Sequence, residues 1–204
     1  MCYEINLIMN SDIKKGKIIV LSAPSGSGKS TIISELMKQP ELKLDFSISA
    51  TSRSPRGEEQ HGREYFFLTE EEFKKNVEEG NFVEWEEVYK GVCYGTLVSE
   101  VERITGKGDN LIMDVDVKGA LNIKKRFQNQ VLTIFIMPPD KETLEKRLRN
   151  RGTDTEETIS KRLEKSEYEM SFSPEFDCVV VNDNLREAVQ DVEKNIVKFI
   201  SGAK

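Results

Sequence analysis

The stretch APSGSGKST at residues 23–31 constrains this chain more than any other feature. It follows a short apolar, β-rich run, KIIVLS at 17–22. It opens residues 30–39, which read as a helix with Ile32, Ile33, Leu36 and Met37 on one side and Pro40 after it. The pattern is G-x-x-x-x-G-K-[ST], with Ala23 standing at the first glycine. Glycines let backbone N–H groups turn inward around phosphate oxygens, and the helix N-terminus adds the positive end of its dipole. Ala23, Pro24, Ser25, Gly26, Ser27, Gly28, Lys29, Ser30 and Thr31 are therefore expected to surround the phosphates of a nucleoside triphosphate. Lys29 brings a full positive charge to the β- and γ-phosphates, and the Ser30 hydroxyl suits Mg2+. From average residue usage, such an octapeptide arises by chance in very roughly one chain in a hundred of this length, and its place between a strand and a helix lowers that further. Alanine is tolerable at position 23 wherever the backbone there avoids positive φ.

The rest of the chain alternates in the same way. Residues 111–115 (LIMDV), 131–137 (VLTIFIM) and 178–181 are near-continuous apolar runs, which suit strands buried on both faces of a parallel sheet. Helical patterns lie between them. The clearest is the last, with Leu185, Ala188, Val189, Val192, Ile196 and Ile200 on one face and Asp183–Asn184 before it as a cap. The expected class is α/β, a sheet covered by helices. Two stretches break the alternation. Residues 49–95 are rich in Arg, Gly, Glu and aromatics, with a charged helix-like run at 69–79, and read as a small α+β insertion. Residues 143–170 are dense in charge, carry Arg147, Arg149, Arg151 and Arg162 and have few large apolar residues, so they are expected to project from the core.

Composition closes off other classes. The formal charge of −6 argues against a non-specific nucleic-acid binder. Cys2, Cys93 and Cys178 are odd in number and far apart, which disfavours a disulfide framework or a zinc site and fits a reducing compartment. No stretch approaches the roughly 20 apolar residues of a membrane span, and the N-terminus lacks the charge order of a signal peptide. The expected location is cytoplasmic, with no membrane and no nucleic acid as partner. Asp114 ends the run LIMD. An acidic residue there either holds Mg2+ through water or is a solvated strand-end carboxylate; the neighbouring phosphate loop favours the metal role.

Seven segments then occur in order: SAPSGSGKST, ATSRSPRGEEQHGREYFF, FVEW, CYGT, DVDVKGA, RGTDTEE and VVVND. Together they make the chain resemble the guanylate kinases, from about Gly16 to the C-terminus. The resemblance implies a P-loop three-layer αβα core with a parallel sheet, a small α+β GMP-binding insertion and a helical lid. Its boundaries would be an N-terminal extension at 1–15, core at 16–48, GMP-binding insertion at 49–97, core at 98–140, lid at 141–170 and core at 171–204. It implies ATP and GMP as substrates, Mg2+ with the ATP, and a monomer or homodimer. Carried over by residue, the GMP-phosphate ligands fall on Arg53, Arg56, Tyr65 and Tyr94. The guanine readers fall on Ser49, Glu84, Thr96 and Asp116. The lid arginines, expected to act in catalysis with Lys29, are Arg147, Arg151 and Arg162. Asn182 would lie beside the ATP base, and Ser30 with Asp114 would hold the metal. The stretch EEVYKGVCYG is one residue longer than the family pattern, with Cys93 at a usual tyrosine.

The residue types fit these roles. Arg suits a monophosphate because its planar fork makes bidentate bonds, and Pro55 stiffens the loop between Arg53 and Arg56. By residue type alone these are two surface arginines, and Glu84 is one glutamate of an alternating strand; the resemblance singles them out. An ionised carboxylate only accepts hydrogen bonds, which matches guanine N1–H and N2–H2 and opposes adenine N1. No general base is needed, since the nucleophile is an anionic phosphate oxygen. His61 is therefore expected to be a loop residue without chemistry, and Trp85 a packing residue. Gly152 is a candidate lid hinge. Two other readings compete: a non-catalytic interaction module of guanylate-kinase-like form, and a P-loop nucleotide hydrolase. An intact Lys29 and Ser30 disfavour the first, and the absence of a marked water-orienting residue disfavours the second.

Overall fold

The computed structural model describes residues 15–150 and 155–202. In chain order the elements are β1 (Ile18–Ser22), α1 (Lys29–Leu36), β2 (Leu44–Phe46), β3 (Ala50–Thr51), β4 (Phe66–Phe67), α2 (Glu70–Glu78), β5 (Phe82–Tyr89), β6 (Val92–Leu97), α3 (Val98–Thr105), β7 (Asn110–Asp114), α4 (Val117–Phe127), β8 (Val131–Met137), α5 (Lys141–Asn150), α6 (Glu156–Met170), β9 (Cys178–Val181) and α7 (Leu185–Ser201). The main sheet runs β2-β7-β1-β8-β9, and every pair in it is parallel.

Side chains alternate across a strand, and β1 shows what that builds. Ile19 and Leu21 point to one face, where they meet Ile32, Ile33 and Leu36 of α1 and Ala188, Val192 and Ile196 of α7. Ile18 and Val20 point to the other, against Val101 and Ile104 of α3, Val117, Ala120 and Ile123 of α4, and Phe176. All five β1 residues are buried, which is why the run reads as continuous rather than alternating. Each fully buried Ile or Leu contributes about 1.5–3 kcal/mol. The result is the three-layer αβα core expected from the sequence. The chain leaves β1 toward β2 and β7 on one side, and β8 lies on the other, so a crevice opens at the carboxyl ends of β1 and β7, where open α/β sheets bind ligands.

A second sheet, β4-β3-β6-β5, stands apart from the first. Phe73 of α2 and Phe82 stack at 4.4 Å between ring centroids beneath it. A capping box at Thr69 and Glu72 starts α2. Strands β5 and β6 pair antiparallel, and their register shifts between Glu87 and Tyr89. A second shift falls between Phe82 and Glu84, and Glu84 lies opposite Thr96. Gly95 is what permits the pairing, since a Cβ there would lie 2.7 Å from the Glu84 carbonyl oxygen.

Helix α1 stops at Leu36, three residues short of the expected end, because Lys38 and Gln39 close tighter turns onto Glu35 and Leu36. The charged helix α5 projects less than expected. Leu144 and Leu148 of α5 are fully buried, and both approach the position where Gly26 would carry a Cβ, at 3.1 Å. Charge density hid two anchor residues at helical spacing. Among the described residues no helix is long and apolar enough to cross a membrane.

Candidate active site

Gly26 and Gly28 both adopt positive φ, at 95° and 87°. This is the left-handed region that glycine enters without steric cost. Ala23 is not among the positive-φ residues, so its methyl group fits the loop without strain, as the sequence required. The loop is closed by Ser27 N–H donating to the Pro24 carbonyl at 3.1 Å. It hands over to α1 at Gly28, the helix N-cap. Asn182, expected beside the ATP base, is buried and braces the loop from behind: its Nδ2 donates to the Ser27 carbonyl at 2.7 Å. A Cβ on Gly28 would meet that same Nδ2 at 2.4 Å.

A cavity of about 330 Å³ opens over this loop, lined by Ala23, Pro24, Ser25, Gly26, Gly28, Lys29, Ser30, Asp114, Val115, Asp116 and Glu169. Lys29 pairs with Asp114 across it and also donates to the Val115 carbonyl at 3.4 Å. From α6, Arg162 Nη1 reaches Ser25 Oγ at 3.4 Å. Arg147 has a buried Nη1 with no hydrogen-bond partner among the described residues, and it does not line this cavity. Arg151 and Gly152 lie outside the described residues. Glu169, which the sequence reading missed, is 8% exposed. Burial raises its pKa, while the charges of Lys165 and Lys29 oppose this. The signal was present in α6, where Ile159, Ser166 and Glu169 share the buried side.

A second cavity, of about 200 Å³, is lined by Phe46, Ser47, Ser49, Glu84, Glu86, Tyr94, Gly95, Thr96, Met113, Asp114, Val115 and Asp116. Glu84 Oε1 accepts from the Thr96 hydroxyl at 2.8 Å. Burial raises the Glu84 pKa above its ordinary value; the Thr96 hydrogen bond works against this and the charge of Asp116 adds to it. Asp116 is also the N-cap of α4, with Oδ1 accepting from Gly119 N–H at 2.7 Å. One residue thus caps a helix and faces a cavity.

Arg53 Nε donates to Tyr94 Oη at 3.1 Å, and its guanidinium lies over the Tyr65 ring at 5.1 Å. The Tyr65 and Tyr94 rings meet edge to face. Arg56 is exposed. Sequence reasoning also missed Glu59, the carboxylate that grips Arg53; its only signal was an acid six positions on in the same short loop. His61 is a loop residue as expected, its Nδ1 accepting from Phe67 N–H at 3.2 Å. Trp85 packs edge-on to Phe73 and remains half exposed. The two cavities share one wall, Asp114, Val115 and Asp116, at the carboxyl end of β7.

The chain is similar to known proteins. A family model described as guanylate kinase matches residues 15–199. The guanylate kinase of Porphyromonas gingivalis is 54% identical over 185 residues, covering 91% of this chain and 98% of the relative. That of Bacteroides thetaiotaomicron is 54% identical over 186 residues, covering 91% of each. That of Thermotoga maritima is 45% identical over 178 residues, covering 87% of this chain and 84% of the relative. Among solved structures, the guanylate kinase of Anaplasma phagocytophilum matches with a TM-score of 0.68 at 29% identity, covering 92% of this chain and 87% of that one.

Proposed function

The chain belongs to the guanylate kinase family, and from that premise we propose how its residues divide the work of moving the γ-phosphoryl group of ATP to GMP. It is a nucleoside-monophosphate kinase: ATP and GMP become ADP and GDP. The observation that carries the division of labour is the shared wall. A phosphate loop forms one cavity, a carboxylate-lined pocket forms the other, and residues 114–116 belong to both. Substrates in two such cavities would meet at that wall, which is what direct transfer needs.

ATP takes the loop cavity, with residues 23–31 around its phosphates. GMP takes the other. Arg53, Arg56, Tyr65 and Tyr94 hold its phosphate, while Ser49, Glu84, Thr96 and Asp116 read the base. Ionised Glu84 accepts from N1–H and N2–H2 of guanine; adenine presents an acceptor at N1 and leaves the carboxylate unpaired. Sites built on such pairs discriminate by up to roughly 10⁴-fold or more.

A GMP phosphate oxygen, already anionic, attacks the γ-phosphorus as the bond to the β-phosphate oxygen breaks. No proton need be removed first. Lys29, Arg147, Arg151 and Arg162 neutralise the charge that spreads over the transferring group. The pairing of Lys29 with Asp114 keeps the ammonium at the shared wall until phosphates claim it. Ser30 and Asp114 fit Mg2+ as hard oxygen donors. Among the described residues no group of three or more His, Cys, Asp or Glu side chains is arranged to hold a metal; in this reading the ion comes with the ATP phosphates. When bound, it supplies positive charge to the β- and γ-phosphate oxygens.

Residues 49–97 act as the GMP-binding insertion and 141–170 as a lid whose closure keeps water from the γ-phosphate. Both cavities are built from one chain, so the reading holds for a monomer or a homodimer. Cys93 and Cys178 are free thiols, in keeping with a reducing compartment such as the cytoplasm; the proposed partners are small-molecule substrates, not nucleic acid or membrane. A coupled assay of ADP formation tests the reading. GMP should support turnover and AMP, CMP and UMP should not; equal rates with AMP, or none with GMP, would overturn it.

A further inference from the structure

The two arginines proposed for the acceptor phosphate differ in freedom. The Arg53 side chain is 9% exposed. Its Nη1 donates to Glu59 Oε2 at 2.7 Å and its Nη2 to Glu59 Oε1 at 2.8 Å, fork to fork. Nη1 also donates to the Ser54 carbonyl at 2.8 Å, and Nε to Tyr94 Oη at 3.1 Å. A guanidinium has five N–H donors. These contacts occupy four, leaving one N–H on Nη2. The plane is held further by the faces of Tyr65 and Phe67, at 5.1 and 5.7 Å.

Glu59 does more than hold a side chain. Its Oε2 also accepts from Arg56 N–H at 2.8 Å, and its own N–H donates to the Arg56 carbonyl at 3.1 Å. One carboxylate thus fixes the Arg53 fork and closes the turn that carries Arg56. The Arg56 guanidinium makes no hydrogen bond or ion pair among the described residues, and Arg56, Glu59 and Arg63 line a hollow outside the cavity walled by Glu84 and Tyr94, from which Arg56 would reach the acceptor phosphate. The carboxylate does not occupy the nucleoside pocket; it grips Arg53 from outside.

We propose that Glu59 is a positioning residue for the acceptor phosphate: by holding Arg53 in a bidentate pair, it turns the Tyr94 hydroxyl into a fixed donor toward that phosphate and leaves Arg56 to grip it with a free fork. The chemistry follows from the donor count. Tyr94 Oη already accepts from Arg53 Nε, so its own proton is directed elsewhere. Arg53, neutralised by Glu59, offers one N–H and an orientation rather than a full charge. The Arg53 hydrogen bonds and the Arg56 N–H hold the Glu59 pKa down at about 2, so the pair stays ionised throughout the neutral range. The inference rests on the acceptor site proposed above.

Glu59→Gln separates this role from a structural one. Glutamine keeps one carbonyl oxygen for Arg56 N–H but loses the charge and the second acceptor facing Arg53. KM for GMP should rise about tenfold or more, the scale of a lost charge-assisted bond, while KM for ATP, kcat and the melting temperature stay close to wild type. Glu59→Asp should recover part of the loss. Arg53→Met should raise KM for GMP as well, and adding Glu59→Gln to it should change nothing further, because the two act as a unit. An unchanged or lowered KM for GMP in Glu59→Gln, a parallel rise in KM for ATP, or multiplying effects in the double variant would overturn the inference. A wild-type protein without GMP-dependent ADP formation would instead overturn the acceptor-site reading itself.

Discussion

At the scale of single residues the site is a set of charges held in pairs. Lys29 rests on Asp114, Arg53 on Glu59, and Glu84 on the Thr96 hydroxyl. Asp114 is 39% exposed, so losing its partner costs little folding energy, as for exposed ion pairs generally. Lys29→Ala should therefore lower kcat by orders of magnitude while the melting temperature barely moves; retained activity would remove Lys29 from charge neutralisation. Glu84→Gln should raise KM for GMP far more than KM for ATP. The raised Glu84 pKa adds a pH test. Glu84 takes up a proton at higher pH than an ordinary carboxylate, whose value is 4.5, and once protonated it no longer accepts from both guanine donors. KM for GMP should thus climb on acidification with an onset above that value, and Glu84→Gln should lack this limb. The GMP phosphate's own second proton, at about pH 6, gives a limb common to both proteins; no difference in acid limb beyond that one would contradict the assignment. Lys29 and Ser30 stood out because strand, loop and helix are contiguous in sequence, whereas Asp114, at the end of a distant strand, stood out only beside that loop. Glu59 was not, because a surface-looking acid becomes a partner only when its loop folds back on Arg53.

At the scale of elements, the phosphate loop is shaped from outside itself. Asn182 braces it from 155 positions away and Arg162 touches it from 137 positions away. Leu144 and Leu148 fill the space beside Gly26. No local pattern announces such contacts; Leu144 and Leu148 sit in a run so charged that it read as projecting. Strand existence was far easier to read. The runs at 131–137 and 178–181 match β8 and β9, but only β8 is buried on both faces; β9, at the sheet edge, buries Val180 and leaves Val179 and Val181 exposed. Asn182→Ala would strip the Ser27 carbonyl of its donor inside the protein, a loss of about 1–3 kcal/mol. KM for ATP should rise while KM for GMP holds. Equal effects on both would mean that Asn182 stabilises the whole fold rather than the loop.

At the scale of the molecule, a parallel sheet sets two cavities side by side at its carboxyl edge, and the wall 114–116 belongs to both. The class of fold was legible from strand–helix alternation, and the strand order only through the family resemblance. The shared wall was legible from neither, since it depends on how the second sheet stands over β7. Direct transfer across that wall needs both substrates bound together and no phosphorylated side chain between them. Initial velocities measured over a grid of ATP and GMP concentrations test this most directly. Double-reciprocal lines should intersect, the pattern of a ternary complex. Parallel lines, the fingerprint of a covalent intermediate released between substrates, would contradict it.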